Sequence, residues 1–270
     1  MSDLFHFGTA AKPFESQTEG DGEMSKQQYI MQLLGFPGDP DTLKVMLTAA
    51  EKGINAETAV VDMSTKQQDS EDYRKISPLG ILPALKEANF VVLGEHGTCV
   101  FVEGKGLGTF LAPRNAAVLA EQNYWIDIGR TEVQPHVETL MQEIVIGPMG
   151  DAGYSADAAA VSAARTALSA PLDALNEQIT SKFIVGEFCY VDIHFTSYLH
   201  LLSVIGEADM LDSRPNVKSW FERIKTHKSY SGQDIFAYDM LPSLEDIKSK
   251  TLGDVDCGEF KLDISHMILN

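Results

Sequence analysis

A proline set inside an apolar run, Ile81-Leu82-Pro83-Ala84-Leu85, restricts this chain more than any other feature. Proline has no N–H to give to a ladder, so the run is either an edge strand or a cis X-Pro turn leading into a strand. Ser77-Pro78 and Gly80 just upstream are turn residues, and Pro78 pushes Ser77 out of the helical region. A second apolar run, Phe90 to Leu93, follows a hairpin at Glu87 to Asn89 and reads as another strand. Gly94-Glu95-His96-Gly97 then opens a helix, so unpaired backbone N–H groups and a carboxylate meet at one N-terminus.

The flanking segments frame this unit. Tyr29 to Leu34 reads as a strand, and Gly35 to Pro40 as a loop into a helix. Asp39 is a strong N-cap, and Pro40 takes the first helical position, where a missing N–H costs least. Leu43, Met46, Leu47 and Ala50 recur at helical spacing and predict one buried face, closed by Gly53. Ala56 to Val61 is a second strand, which makes a βαβ unit with parallel strands. Asp69 to Ile76 is a short helix or turn, and the order up to the Gly94 helix reads β-α-β-α-β-β-α. Phe101 to Pro113, with Gly104, Gly106 and Gly108, reads as a linker, and its glycines lack the Lys-Ser/Thr of a phosphate loop.

Beyond Arg114 every periodic segment is helical. Asn115 to Ile146 carries Leu119, Tyr124, Trp125 and Ile128 as core, with a kink or split at Pro135. Ala156 to Ile179 is alanine-rich and interrupted by Pro171. Phe183 to Ile205 is apolar all round, which predicts a buried central helix from Tyr190. A further helix follows Arg214 with Trp220, Phe221 and Ile224. The expected map is a polar arm (1–26), an α/β domain (27–103), a linker (104–114), an all-α domain (115–230) and an acidic extension (231–270) to which no fold is assigned.

A net charge of −18 over 270 residues argues against nucleic-acid binding, which needs clustered Lys and Arg. No apolar run is long enough to cross a membrane, and the first residues lack the pattern of a secretory signal. Cys99, Cys189 and Cys257 lie far apart with no CxxC pair, which points away from metal sites and disulfides and toward a reducing cytoplasm.

An α/β half with an X-Pro before its third strand, followed by an all-helical half, resembles the cytosolic glutathione transferases. LLGFPGDPDTLKVMLTAAEKGI is similar to that family's first strand, active-site loop and first helix. SPLGILPAL resembles its cis-proline motif, and VVLGEHGT the Glu-Ser segment after the fourth strand. FIVGEFCYVDI and SRPNVKSWFERIKTHKSY resemble two motifs of the helical domain, in the right order. The resemblance runs from Tyr29 to Tyr230. It implies a thioredoxin-like domain with a cis Pro83, an all-helical second domain and a homodimer. It also implies glutathione as cosubstrate and a small electrophile as the other partner.

By that resemblance, Leu82 and Pro83 hold the tripeptide through backbone bonds, and Glu95 and His96 hold its γ-glutamyl end. The thiol sits at the N-terminus of the first helix, where orphan N–H groups favour the thiolate that does the chemistry. Three positions depart from the family pattern. Asp39 stands where the Ser, Cys or Tyr donor is expected; Thr42, a turn away, is the substitute donor. His96 replaces the serine hydroxyl. Ile81 replaces a polar residue and reads as core or edge strand. Cys189 replaces the serine of a capping box whose other half is Asp192, a change expected to weaken that cap. Tyr124, Trp125, Arg130 and His136 lie on the helix that faces the acceptor cleft in the family. Three functions stay open on these residues. They are a transferase, a binding scaffold disarmed at Asp39, and a specialised enzyme using Asp39 as acid or base.

Overall fold

A computed structural model describes residues 31–87, 90–108, 110–227 and 243–249. The amino-terminal arm, Tyr29, part of the hairpin at Glu87 to Asn89, and most of the acidic extension with Cys257 lie outside the described residues.

The first domain is a four-stranded sheet flanked by helices. Strand β1 (Met31–Gly35) leads through the loop to α1 (Pro40–Glu51) and back to β2 (Ala56–Val60). Two single 3₁₀ turns and α2 (Glu71–Ile76) precede β3 (Ala84–Glu87), β4 (Phe90–Leu93) and α3 (Glu95–Lys105). The strand order is β2-β1-β3-β4, with β1 parallel to β2 and the other pairings antiparallel. Leu82-Pro83 is cis, and the ladder to β1 starts at Ala84. Pro83 thus lies outside the sheet, and its carbonyl accepts from Gly94 N–H at 2.9 Å.

Helix α1 buries more than the single face that its apolar spacing predicts. Leu43, Val45, Leu47 and Ala49 are buried, but so are Thr42, Lys44 and Thr48. It is packed on both sides, against α3 on one and α8 of the helical domain on the other. Helix α3 runs through Phe101 to Lys105, residues expected to begin the linker, because Thr98, Cys99 and Val102 give it a buried face.

The second domain comprises α4 (Ala116–Ile128), α5 (Gln134–Met141), α6 (Gly147–Gly150), α7 (Ala158–Gln178), α8 (Tyr190–Val204) and α9 (Pro215–Lys225). A short helix, α10 (Leu244–Ser249), follows, with Ile247 buried. Helices α4 and α5 join through a π-helical turn, Gly129–Val133, which places the break just ahead of Pro135. Gly129 is required there, since a Cβ would lie 2.7 Å from the His194 ring on α8. Pro171, expected to interrupt its helix, lies within an unbroken α7.

Helix α8 is the central helix of the domain, buried from Tyr190 to Leu202. Its capping box is complete, with Cys189 Sγ accepting from the third-residue N–H and Asp192 Oδ2 accepting from Cys189 N–H at 3.0 Å. Asp192 Oδ1 also accepts from Ile184 N–H at 3.2 Å and Trp220 Nε1 at 2.8 Å. One carboxylate therefore ties the helix start to the preceding loop and to α9. Sulfur is the weaker acceptor in this cap. Cys189→Ser is expected to raise the unfolding free energy by about 0.5–1 kcal/mol. The measurement is a urea titration at constant m-value, and a loss of stability would count against a capping role.

Candidate active site

The loop after β1 delivers Asp39 to the N-terminus of α1. Asp39 has extended backbone angles and caps the helix, its Oδ2 accepting from Thr42 N–H at 2.8 Å and Thr42 Oγ1 at 2.6 Å. Thr42 is fully buried and its oxygen accepts from Phe36 N–H at 3.2 Å. The expectation of Thr42 as substitute thiol donor does not fit this geometry, because its one proton is already given to Asp39. Asp39 Oδ1, by contrast, has no hydrogen bond among the described residues. Burial, with the Asp41 carboxylate adding to it, lifts the Asp39 pKa to about 7, against the pull of the Thr42 hydrogen bonds and the Lys44 cation. A group titrating there can hold or release a proton under physiological conditions.

The turn before β3 lies next to this loop. Ser77 Oγ accepts from Ile81 N–H and donates to Ile81 O, each at 3.0 Å, and Tyr73 Oη donates to the same carbonyl at 3.0 Å. These bonds hold the segment leading into Leu82 and Pro83. The Tyr73 hydroxyl is pushed up by burial, with the Asp39 carboxylate as a further cause. Ile81, expected in core or edge strand, is in neither: its side chain is 48% exposed. Its backbone is the part that is held.

Beyond β4, Gly94 caps α3 with φ of +75°, a turn angle that favours glycine, and Glu95 starts the helix. Glu95 is only 6% exposed, so a carboxylate is buried against a helix N-terminus. Its Oε2 accepts from Arg130 Nη2 at 2.9 Å, and its Oε1 is buried with no hydrogen-bond partner among the described residues. His96 is exposed. On α4, Trp125 is core, packed edge-on against Phe195 on α8, whereas Tyr124 is exposed. His136 is half-buried on α5.

A polar network under the loop is absent from the sequence reading. Lys44, one turn past Asp39, is fully buried, and its Nζ donates to Asp41 Oδ1 at 2.8 Å and to Gln134 Oε1 and Tyr198 Oη at 2.9 Å each. Tyr198 Oη also donates to Gln134 Oε1 at 2.9 Å and lies 2.9 Å from His194 Nε2. Burial, with the Lys44 and Arg130 cations near it, lowers the His194 pKa well below the usual value and keeps the ring neutral. The network joins α1 to α5 and α8 across the domain seam. Two signals pointed to it: a lysine inside the buried repeat of α1, and a His-Tyr pair at i, i+4 in an otherwise apolar helix. Among the described residues no group of acidic, His or Cys side chains forms a metal site, and no helix is long and apolar enough to cross a membrane.

The sequence profile described as glutathione S-transferase, N-terminal domain, matches residues 30–94, and that of the C-terminal domain matches residues 129–228. Glutathione S-transferase F10 of Arabidopsis thaliana is 24% identical over 194 residues, spanning 69% of this chain and 88% of the relative. Glutathione S-transferase 3 of Zea mays is 25% identical over 205 residues, spanning 74% and 91%. Among solved structures, a human theta-class glutathione transferase, in complex with the glutathione conjugate of 1-menaphthyl sulfate, superposes with a TM-score of 0.69. It is 21% identical, with 83% of this chain and 92% of that one covered. The two profiles together match more than half of the chain, in the order of its two domains, and the chain belongs to the glutathione S-transferase family.

Proposed function

We propose that this protein binds glutathione and joins it through its sulfur to a small electrophile, with Asp39 sharing the thiol proton. Glutathione supplies the nucleophilic sulfur. The observation that carries the reading is Glu95 Oε1 at the start of α3, a buried acceptor with no partner among the described residues, which fits an ammonium such as that of a γ-glutamyl end. Leu82 lies just before the ladder, where its backbone is free to pair with an extended peptide, beside the cis Pro83. The backbone N–H of His96 stays at the helix start whatever its side chain does.

At the other end, Asp39 Oδ2 is held by Thr42 and Oδ1 is open. Ionised Asp39 accepts the thiol proton at Oδ1 and then, as the neutral acid, donates that proton in a hydrogen bond toward sulfur. One proton is shared between carboxyl and thiol. The N-terminus of α1 favours the resulting negative charge on sulfur. The carbon–sulfur bond forms as the electrophile's leaving group departs with the bonding pair, or as its activated double bond takes that pair.

The same reading makes the protein a homodimer in the cytoplasm. Phe90 and Leu93 on β4 and Val100 on α3 are exposed apolar side chains of the kind a second copy would cover, and the free, buried Cys99 and Cys189 suit a reducing compartment. Calorimetry with millimolar glutathione and turnover of an activated aryl halide test the function. Saturable heat together with enzyme-dependent conjugate is the expected result. Heat without conjugate would leave a binding scaffold, and the absence of both would end the reading.

A further inference from the structure

Arg130 comes from the helical domain, yet its guanidinium reaches the first residue of α3 in the other domain. Of its five N–H donors only one is used among the described residues, the bond from Nη2 to Glu95 Oε2. The side chain is 37% exposed, while that of Glu95 is 5% exposed. An arginine that served only to neutralise Glu95 would sit across both carboxylate oxygens, the bidentate arrangement its fork favours. Here it takes one oxygen and leaves Oε1 bare and buried. The result is a cation with open donors, an unpartnered anionic oxygen and the N–H groups of a helix start, all at one point. Two opposite charges so presented match the two charges of an α-amino acid head group.

We infer that Arg130 is a specificity-determining residue of this site, binding the α-carboxylate of a zwitterionic head group whose ammonium is held by Glu95 Oε1. The inference rests on the glutathione reading above and names a contact which that reading lacks. It assigns to a guanidinium from the helical domain the position beside Glu95 where His96 has displaced a hydroxyl. Arg130 keeps its bond to Glu95 Oε2 and offers its remaining N–H groups to the carboxylate, so no rearrangement of the pair is needed. The His96 side chain, being exposed, then contributes little, and its N–H is the part that matters.

A thermodynamic cycle separates this role from that of an interdomain brace. Binding of glutathione and of 4-aminobutyryl-cysteinyl-glycine, which lacks only the α-carboxylate, is measured by calorimetry on the full chain and on Arg130→Gln. Losing a charge-assisted hydrogen bond is expected to weaken glutathione on the order of tenfold or more. The decarboxylated ligand is expected to bind both proteins within about twofold, since its contacts do not include the guanidinium. Glutaryl-cysteinyl-glycine, which keeps the carboxylate and lacks the ammonium, is expected to remain sensitive to Arg130→Gln. Equal weakening of glutathione and the decarboxylated ligand, or no weakening of either, would overturn the inference and leave Arg130 as a brace. If glutathione gives no heat with the unaltered protein, the functional reading fails and the inference falls with it.

Discussion

Asp39→Ser is expected to raise the rate of thiol transfer at pH 8 on the order of tenfold, an unusual direction for a change at a catalytic position. A thiol that shares its proton with a carboxyl of pKa about 7 is in its thiolate form only a small part of the time, because an ordinary thiol holds its proton more tightly, with a pKa of about 8.5. A serine donates a hydrogen bond without adding charge, so the helix N-terminus acts alone and the thiolate fraction rises. Rates of the unaltered protein should climb to about pH 7, as Asp39 ionises and becomes able to accept the proton, and should climb again as the thiol itself ionises. Asp39→Asn should lose that first limb. An Asp39→Asn profile identical to that of the unaltered protein would remove Asp39 from the chemistry, and a slower serine variant would make Asp39 an asset rather than a burden.

The same group affects stability with a definite sign. Its native pKa is raised above that of the unfolded chain, so between about pH 4 and pH 7 the folded state holds a proton that the unfolded state releases. Its contribution to stability therefore declines as pH rises through that window.

Features set by local chemistry were legible in the sequence, and features set by contact between domains were not. Pro83 excluded itself from a central strand for want of an N–H, and the cis turn lies just ahead of the ladder. Asp39-Pro40 marked a helix start by cap and first-turn preferences alone. Glu95 was placed at a helix N-terminus by the glycine before it. Nothing local, however, marks Arg130 as the partner of Glu95, since the two belong to different domains and the pairing depends on how the helical domain docks. The extent of α1 burial was missed for the same reason, as its second buried face exists only because α8 lies against it. Pro171 misled because a proline costs a helix one hydrogen bond and some bending, and packing of Leu168, Leu172 and Leu175 in the core outweighs that cost.

Lys44 is where the fold and the candidate site depend on one side chain. Lys44→Ala is expected to lower the unfolding free energy by about 3 kcal/mol, from the cavity left by a fully buried stem and from polar groups left facing it. Lys44→Met keeps most of the volume. Tyr198 and Gln134 retain their bond to each other, and Asp41, 27% exposed, turns to water, so its expected cost is about 1 kcal/mol. Urea titrations of the two variants measure the difference, and a rise in the number of transitions for the alanine variant would mean that the domains no longer unfold together. Equal costs for Ala and Met would show that charge rather than volume dominates. The methionine variant also reaches the site. The Lys44 cation lowers the Asp39 pKa, so its removal should move the first limb of the rate profile above pH 7. If that limb stays in place while stability changes, Lys44 joins the domains without tuning Asp39. If both move together, the buried lysine sets the proton affinity of the group on which thiol transfer depends.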